Sequence, residues 1–201
     1  MAAEAFAMHL DRRTALAALG FLFLSSASGA ASTEGEPTVP IRLVETALAG
    51  RGGALPTESA LRTAIVRAFD LDAMTRGVLG SQTSTAGQFS RFREVLTDRL
   101  VLDMLARRRR EGRGTLEIVR TRTIGAGEWV VDSRIAIRDR PLRSASWRVR
   151  EDQGKTLVTD VMSSGTSLVR SLRSANQASL RKYGLDGLIT RMDGRNSRMR
   201  G

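Results

Sequence analysis

Catalytic chemistry near neutral pH draws most often on histidine and cysteine, and this chain offers almost none: it has no cysteine, and its one histidine is His9. Ser-His-Asp and Cys-His nucleophiles, the common zinc sites and any disulfide framework are excluded. No metal and no cofactor are expected. What remains for acid–base work is paired carboxylates, and Asp70 and Asp72 are close enough in sequence to be weighed. Their place just after an apolar helical segment fits helix capping better. Asp160 falls in a strand, where pairing with an arginine of the sheet is expected. Gly125-x-Gly127 is followed by no helix, so it reads as a turn and not as a nucleotide loop. The chain reads as a binding protein, not an enzyme.

Its charge says what kind of surface it meets. The formal net charge is +11, and in residues 1–31 Glu4 and Asp11 cancel Arg12 and Arg13, so the rest of the chain carries the whole excess. Such a surface favours phosphates, whether of nucleic acid, lipid headgroups or an acidic partner. The run Arg107 to Arg110 reads as a solvated helix end, with cations where the macrodipole favours them. Arginines elsewhere alternate along strands, opposite the aromatic face, which is not the pattern of a nucleic-acid interface. No nucleic-acid partner is expected.

The first residues carry an address. Arg12-Arg13, an uncharged apolar run from Ala15 to Leu24 and small residues from Ser25 to Ser32 follow the grammar of a secretory signal. The apolar run is about ten residues, half of what a membrane-spanning helix needs. Residues 1–31 are therefore expected to be a cleavable signal, with the arginine pair resembling a twin-arginine signal, and the mature protein to work in the periplasm.

Residues 32–37 form a polar leader, and the domain is expected over 38–193. Helical periodicity marks a first helix ended by Gly50, a second opened by Pro56-Thr57-Glu58, a third from Leu71 to Leu79, and a longer one from Thr85 to about Arg109. Beyond Gly112 the period becomes two: Trp129, Val131, Ile135 and Ile137 share a face, as do Ala145, Trp147 and Val149. Four strands joined by turns at 125–127, 139–141 and 153–154 make an antiparallel meander. Helix returns from Ser167 to Tyr183 and from Leu185 to Met192, and 194–201 is expected to be a disordered basic tail. The fold class is α+β, a four-stranded sheet packed with about six helices.

Four segments carry a resemblance. Phe69 to Gly80 is similar to the F-D-x-x-x-M-x-R-x-x-L-G signature of the MlaC, or toluene-tolerance, family. Trp147-Arg148-Val149-Arg150 resembles its Y-R-L-R strand, Asp160 to Leu168 its D-V-x-x-x-G-V-S-L turn, and Arg173 with Gly184 to Ile189 its closing R-(x10)-G-x-D-x-L-I pattern. The resemblance implies a sheet and helices enclosing a lipid's acyl chains in an apolar cavity. It implies a periplasmic phospholipid carrier that works with an inner-membrane ABC lipid transporter and an outer-membrane lipoprotein complex. A hopanoid-associated role, or an interaction subunit that carries no lipid, is the alternative. Gln82, Leu100 to Leu102 and Asn176 stand where the family often has aromatics.

The physics suits such a task. Two acyl chains of some 30 methylenes would cost on the order of 20 kcal/mol to expose to water, so a soluble carrier must enclose them. By position, the expected tail contacts are Phe69, Met74, Val78, Leu96, Leu100 and Met104 from the helices and Trp129, Val131, Trp147, Val149 and Val161 from the sheet. Arg76, Arg148 and Arg150 are the expected headgroup cations.

Overall fold

The computed structural model describes residues 35–50, 54–137 and 140–201; the expected signal over 1–31 and the start of the leader lie outside the described residues. Helix α1 (Val39–Ala49) carries Pro40 in its first turn, where the missing N–H leaves nothing unsatisfied. The next three helices start at side-chain caps that satisfy their free amides. Thr57 accepts from Ala60 N ahead of α2 (Glu58–Ala68), and Asp70 from Ala73 N ahead of α3 (Leu71–Leu79). Thr85 and Gln88 form a reciprocal capping box ahead of α4 (Ala86–Glu111).

After Gly112 the alternating sequence forms β1 (Gly114–Gly125), β2 (Glu128–Ile137), β3 (Arg143–Asp152) and β4 (Lys155–Ser163), antiparallel neighbours in chain order. The β3–β4 connection is a two-residue turn with Gln153 and Gly154 both at positive φ (50° and 78°), the twist a tight hairpin requires. The sheet has a fifth strand beyond the expected four. Ser164 and Gly165, also at positive φ, fold the chain back so that β5 (Thr166–Ser167) pairs with Met162 and Ser163. A stretch this short carries no alternation to read.

Helix α5 (Leu168–Arg200) starts at Ser167, whose hydroxyl accepts from Arg170 N, and breaks at Gly184 (φ 65°, ψ −174°) into two helical segments. The expectation of a disordered tail is corrected here. Residues 194–200 continue the helix because Asn196 is buried, its Nδ2 donating to Val95 O at 2.9 Å, and Arg200 bonds Glu58 and Asp98, each at 2.8 Å. A tail that looks polar in sequence is held by polar partners far away in the chain.

The layers meet unequally. Helices come closest to the sheet along β4, where Phe69 bridges Val158 and Asp70 N donates to Val158 O at 2.9 Å. Between the helices and the other strands the space is spanned by side chains. One apolar cluster results, running from Ile41, Leu61 and Ile65 through Phe92 and Leu96 to Val131, Trp147 and Val161 on the sheet.

Where α3 crosses α5 the fit depends on a missing side chain. A Cβ on Gly77 would lie 2.5 Å from Val169 Cγ1, and Arg173 Nε donates to Gly77 O at 2.7 Å across the same contact. Val169 is β-branched and cannot swing aside within a helix. Gly77→Ala is therefore expected to destabilise the protein by about 1–3 kcal/mol in urea unfolding. Combined with Val169→Ala it should lose less than the two single changes added together.

Candidate functional site

On the inner face of the sheet, register brings the expected residues together. Trp129 stands opposite Val149, Val131 opposite Trp147, and Trp147 opposite Val161. From the helices, Phe69, Met74, Val78, Leu96, Leu100 and Met104 enter the same cluster, and all six are buried, as are Val131, Trp147, Val149 and Val161. Trp129 is partly buried, at the β1–β2 hairpin end. Beside it on β1, Thr121 and Thr123 are exposed although they pair with the inward Val131 and Trp129. The interior therefore thins toward that hairpin.

Sequence reasoning missed a polar residue in this face. Trp147 Nε1 donates to Ser133 Oγ at 2.9 Å, and Ser133 Oγ donates to Ala145 O at 3.1 Å, so the buried indole is satisfied without opening the interior. Strand parity was the available signal: Ser133 lies between Val131 and Ile135 on the inward set.

The expected headgroup cations lie on two elements, α3 and β3. Arg76 is exposed on α3 and Arg148 is exposed on the outer face of β3, in register with Asp160. Arg150 reaches across β4 to form an ion pair with Asp70, itself buried. Asp70 thus caps α3 with one oxygen and holds Arg150 with the other. Asp72 pairs with Arg93 at 2.7 Å. Among the described residues Asp160 pairs with no arginine of the sheet; its carboxylate accepts from Val161 N, Val169 N and Ser167 Oγ and so fixes the turn into α5.

Asp132, on the outer face, is the hub of the sheet's own arginines. Burial raises its pKa, but hydrogen bonds from Ser146, Arg122 and Arg120 outweigh that and hold its carboxyl below the ordinary value. At the end of α4 the arginine run is only half solvated. Arg109 and Arg110 are exposed, whereas Arg107 and Arg108 are buried, a correction to the expected solvated helix end. Arg107 pairs with Glu111 at 3.3 Å, and Glu111 also holds Arg143 at 3.6 Å.

A surface groove of about 230 Å³ lies between Pro56, Leu102, Leu105 and Met199, closed by the Arg200–Glu58 pair. It is smaller than the roughly 300–1,000 Å³ of usual small-molecule sites. Among the described residues no group of three or more His, Cys, Asp or Glu could hold a metal ion, and no helix is long and apolar enough to cross a membrane.

Two outcomes are expected from these pairings. Arg150→Met leaves the Asp70 carboxylate buried and unpaired, so it should lower unfolding free energy by about 1–3 kcal/mol without changing ligand uptake. The stability that Asp132 contributes is complete above the ordinary carboxylate pKa and is lost as pH falls through its lowered value. Asp132→Asn should therefore flatten the acid limb of a stability-versus-pH curve, read by thermal melts at stepped pH.

No curated protein matches the chain. Among solved structures, it is similar to the phospholipid-binding protein from Ralstonia solanacearum in complex with a phospholipid, with a TM-score of 0.70 and 18% identity, covering 83% of this chain and 99% of that one. At that identity the likeness establishes the shared α+β fold. The family model described as MlaC protein matches residues 56–194, more than half of the sequence. The chain belongs to the MlaC protein family.

Proposed function

We propose that the protein is a periplasmic phospholipid carrier, the soluble component of an ABC-type lipid transport system that shuttles phospholipid between the outer and inner membranes. Its partners on this reading are an inner-membrane ABC lipid transporter and an outer-membrane lipoprotein complex. The observation that carries the reading is the two-layer interior: apolar side chains of α2, α3 and α4 meet the inner face of the sheet in one cluster, while close backbone approach is concentrated at β4. A sheet fastened along one margin and spanned elsewhere by side chains can part from its helices and take acyl chains in their place. Family membership and the phospholipid held by the Ralstonia solanacearum protein support the same reading.

Both tryptophans of the chain, Trp129 and Trp147, stand on the inner face, so a bound tail reports on itself. Phospholipid brominated along its acyl chains should quench their emission, whereas headgroup-labelled lipid should quench it little. Organic extracts of purified protein should yield about one phospholipid per chain by mass spectrometry. The tight packing of the interior favours a second reading, an interaction subunit that carries no lipid. Protein that is lipid-free as purified and takes none from vesicles would establish that second reading instead.

A further inference from the structure

The buried stripe of α4 does not end in apolar residues. Leu100, Val101 and Met104 belong to the cluster, and the next positions on that side of the helix are Arg107 and Arg108, 7% and 6% exposed. Glu111 serves Arg107. Arg108 has no such neighbour: its Nε is buried and donates to nothing among the described residues, and no carboxylate there forms an ion pair with it. The charge that acts on it is another cation, Arg113, whose own Nε is also buried without an acceptor. Arg113 is fixed by its Nη2, which donates to Ala49 O at 3.3 Å.

Burying a guanidinium beside a second one is strongly disfavoured unless an anion is supplied. Burial first and Arg113 second push the pKa of Arg108 down. The carbonyl end of α4 compensates part of this, but it serves the exposed Arg109 and Arg110 as well and requires no burial. A compact anion would complete this pair, and the planar forks of two arginines suit phosphate oxygens in particular.

We propose that Arg108 and Arg113 form a phosphate-binding site, occupied by the phosphodiester of the bound phospholipid. The assignment rests on the carrier reading and gives that site its polar end. Twelve residues of helix separate Leu96 from Arg108, about 18 Å, close to the roughly 15 Å thickness of one leaflet's hydrocarbon. A lipid whose tails lie along Leu96, Leu100 and Met104 places its phosphate at Arg108. The headgroup role expected of Arg76, Arg148 and Arg150 passes to this pair.

The test compares lipids that differ only in the phosphate. Folded protein is incubated with vesicles containing phosphatidylglycerol or diacylglycerol of the same acyl chains, and retained lipid is measured after separation; inorganic phosphate is titrated in parallel by calorimetry. The wild type should retain phosphatidylglycerol at least tenfold over diacylglycerol. Arg108→Met and Arg113→Met should each lose that preference while diacylglycerol retention stays the same, and Arg109→Met, an exposed neighbour, should keep it. Equal retention of the two lipids by the wild type, or an Arg108→Met protein that keeps the preference, overturns the site and leaves the carrier reading standing. Retention of neither lipid overturns the carrier reading and, with it, the lipid as occupant. In that case, inorganic phosphate bound by the wild type and not by Arg108→Met supports the site with free phosphate as its ligand, and no phosphate binding overturns it.

Discussion

Where α2 turns into α3, a few atoms join the helical layer to the sheet. Phe69 bridges Val158 along the free margin of β4, and Asp70 N donates to Val158 O. The same Asp70 caps α3 and pairs with Arg150 on the next strand. A buried carboxylate is tolerable only when its oxygens are engaged, and here the cap and the guanidinium engage them while each also fixes a structural element. This junction fixes the start of α3, and α5 packs against the same helix at Gly77.

Because that junction lies at one margin, the rest of the interior is governed by side-chain volume. Large inward residues such as Trp147, Phe92 and Met104 bridge a gap that, among the described residues, no backbone hydrogen bond crosses away from the Asp70–Val158 contact, so the gap width is set by what fills it. Most polar demands within it are met locally, as Ser133 does for the Trp147 indole. Apart from Asp70 and Glu45, charge among the described residues is kept to the outside and to the end of α4. On the outer face Asp132 neutralises part of the arginine field, which lets cations crowd on adjacent strands without excessive repulsion.

Much of this was legible in the amino-acid order. The bounds of α3, the change of period after Gly112, and the inward sets of β2 and β3 appear in the structure as the sequence implies, since each is a local consequence of periodicity and caps. Asp70 as a cap was legible for the same reason. Other features were not. The fate of Arg150, the helical tail and the partners of Asp160 depend on residues as far as 142 positions away, or on backbone amides that carry no sequence signature. The burial of Arg107 and Arg108 was hidden because a run of four arginines reads as solvent-facing, whereas two of them fall on the inward side of the helix.

Helix α5 joins the two layers, and its break at Gly184 decides how. Before the break, Val169 and Arg173 are tied to Asp160 and Gly77, that is, to the β4 end and α3. After it, Asp186 bonds Gln88, Asn196 bonds the backbone of Val95, and Arg200 reaches Asp98, all on α4. An unbroken rod would lock these two sets of attachments at one angle. With a glycine at positive φ between them, the first segment runs along β4 and α3 and the second along α4, each at its own angle. A single helix thereby fastens the sheet's margin to two different helices, which one straight axis could not reach together.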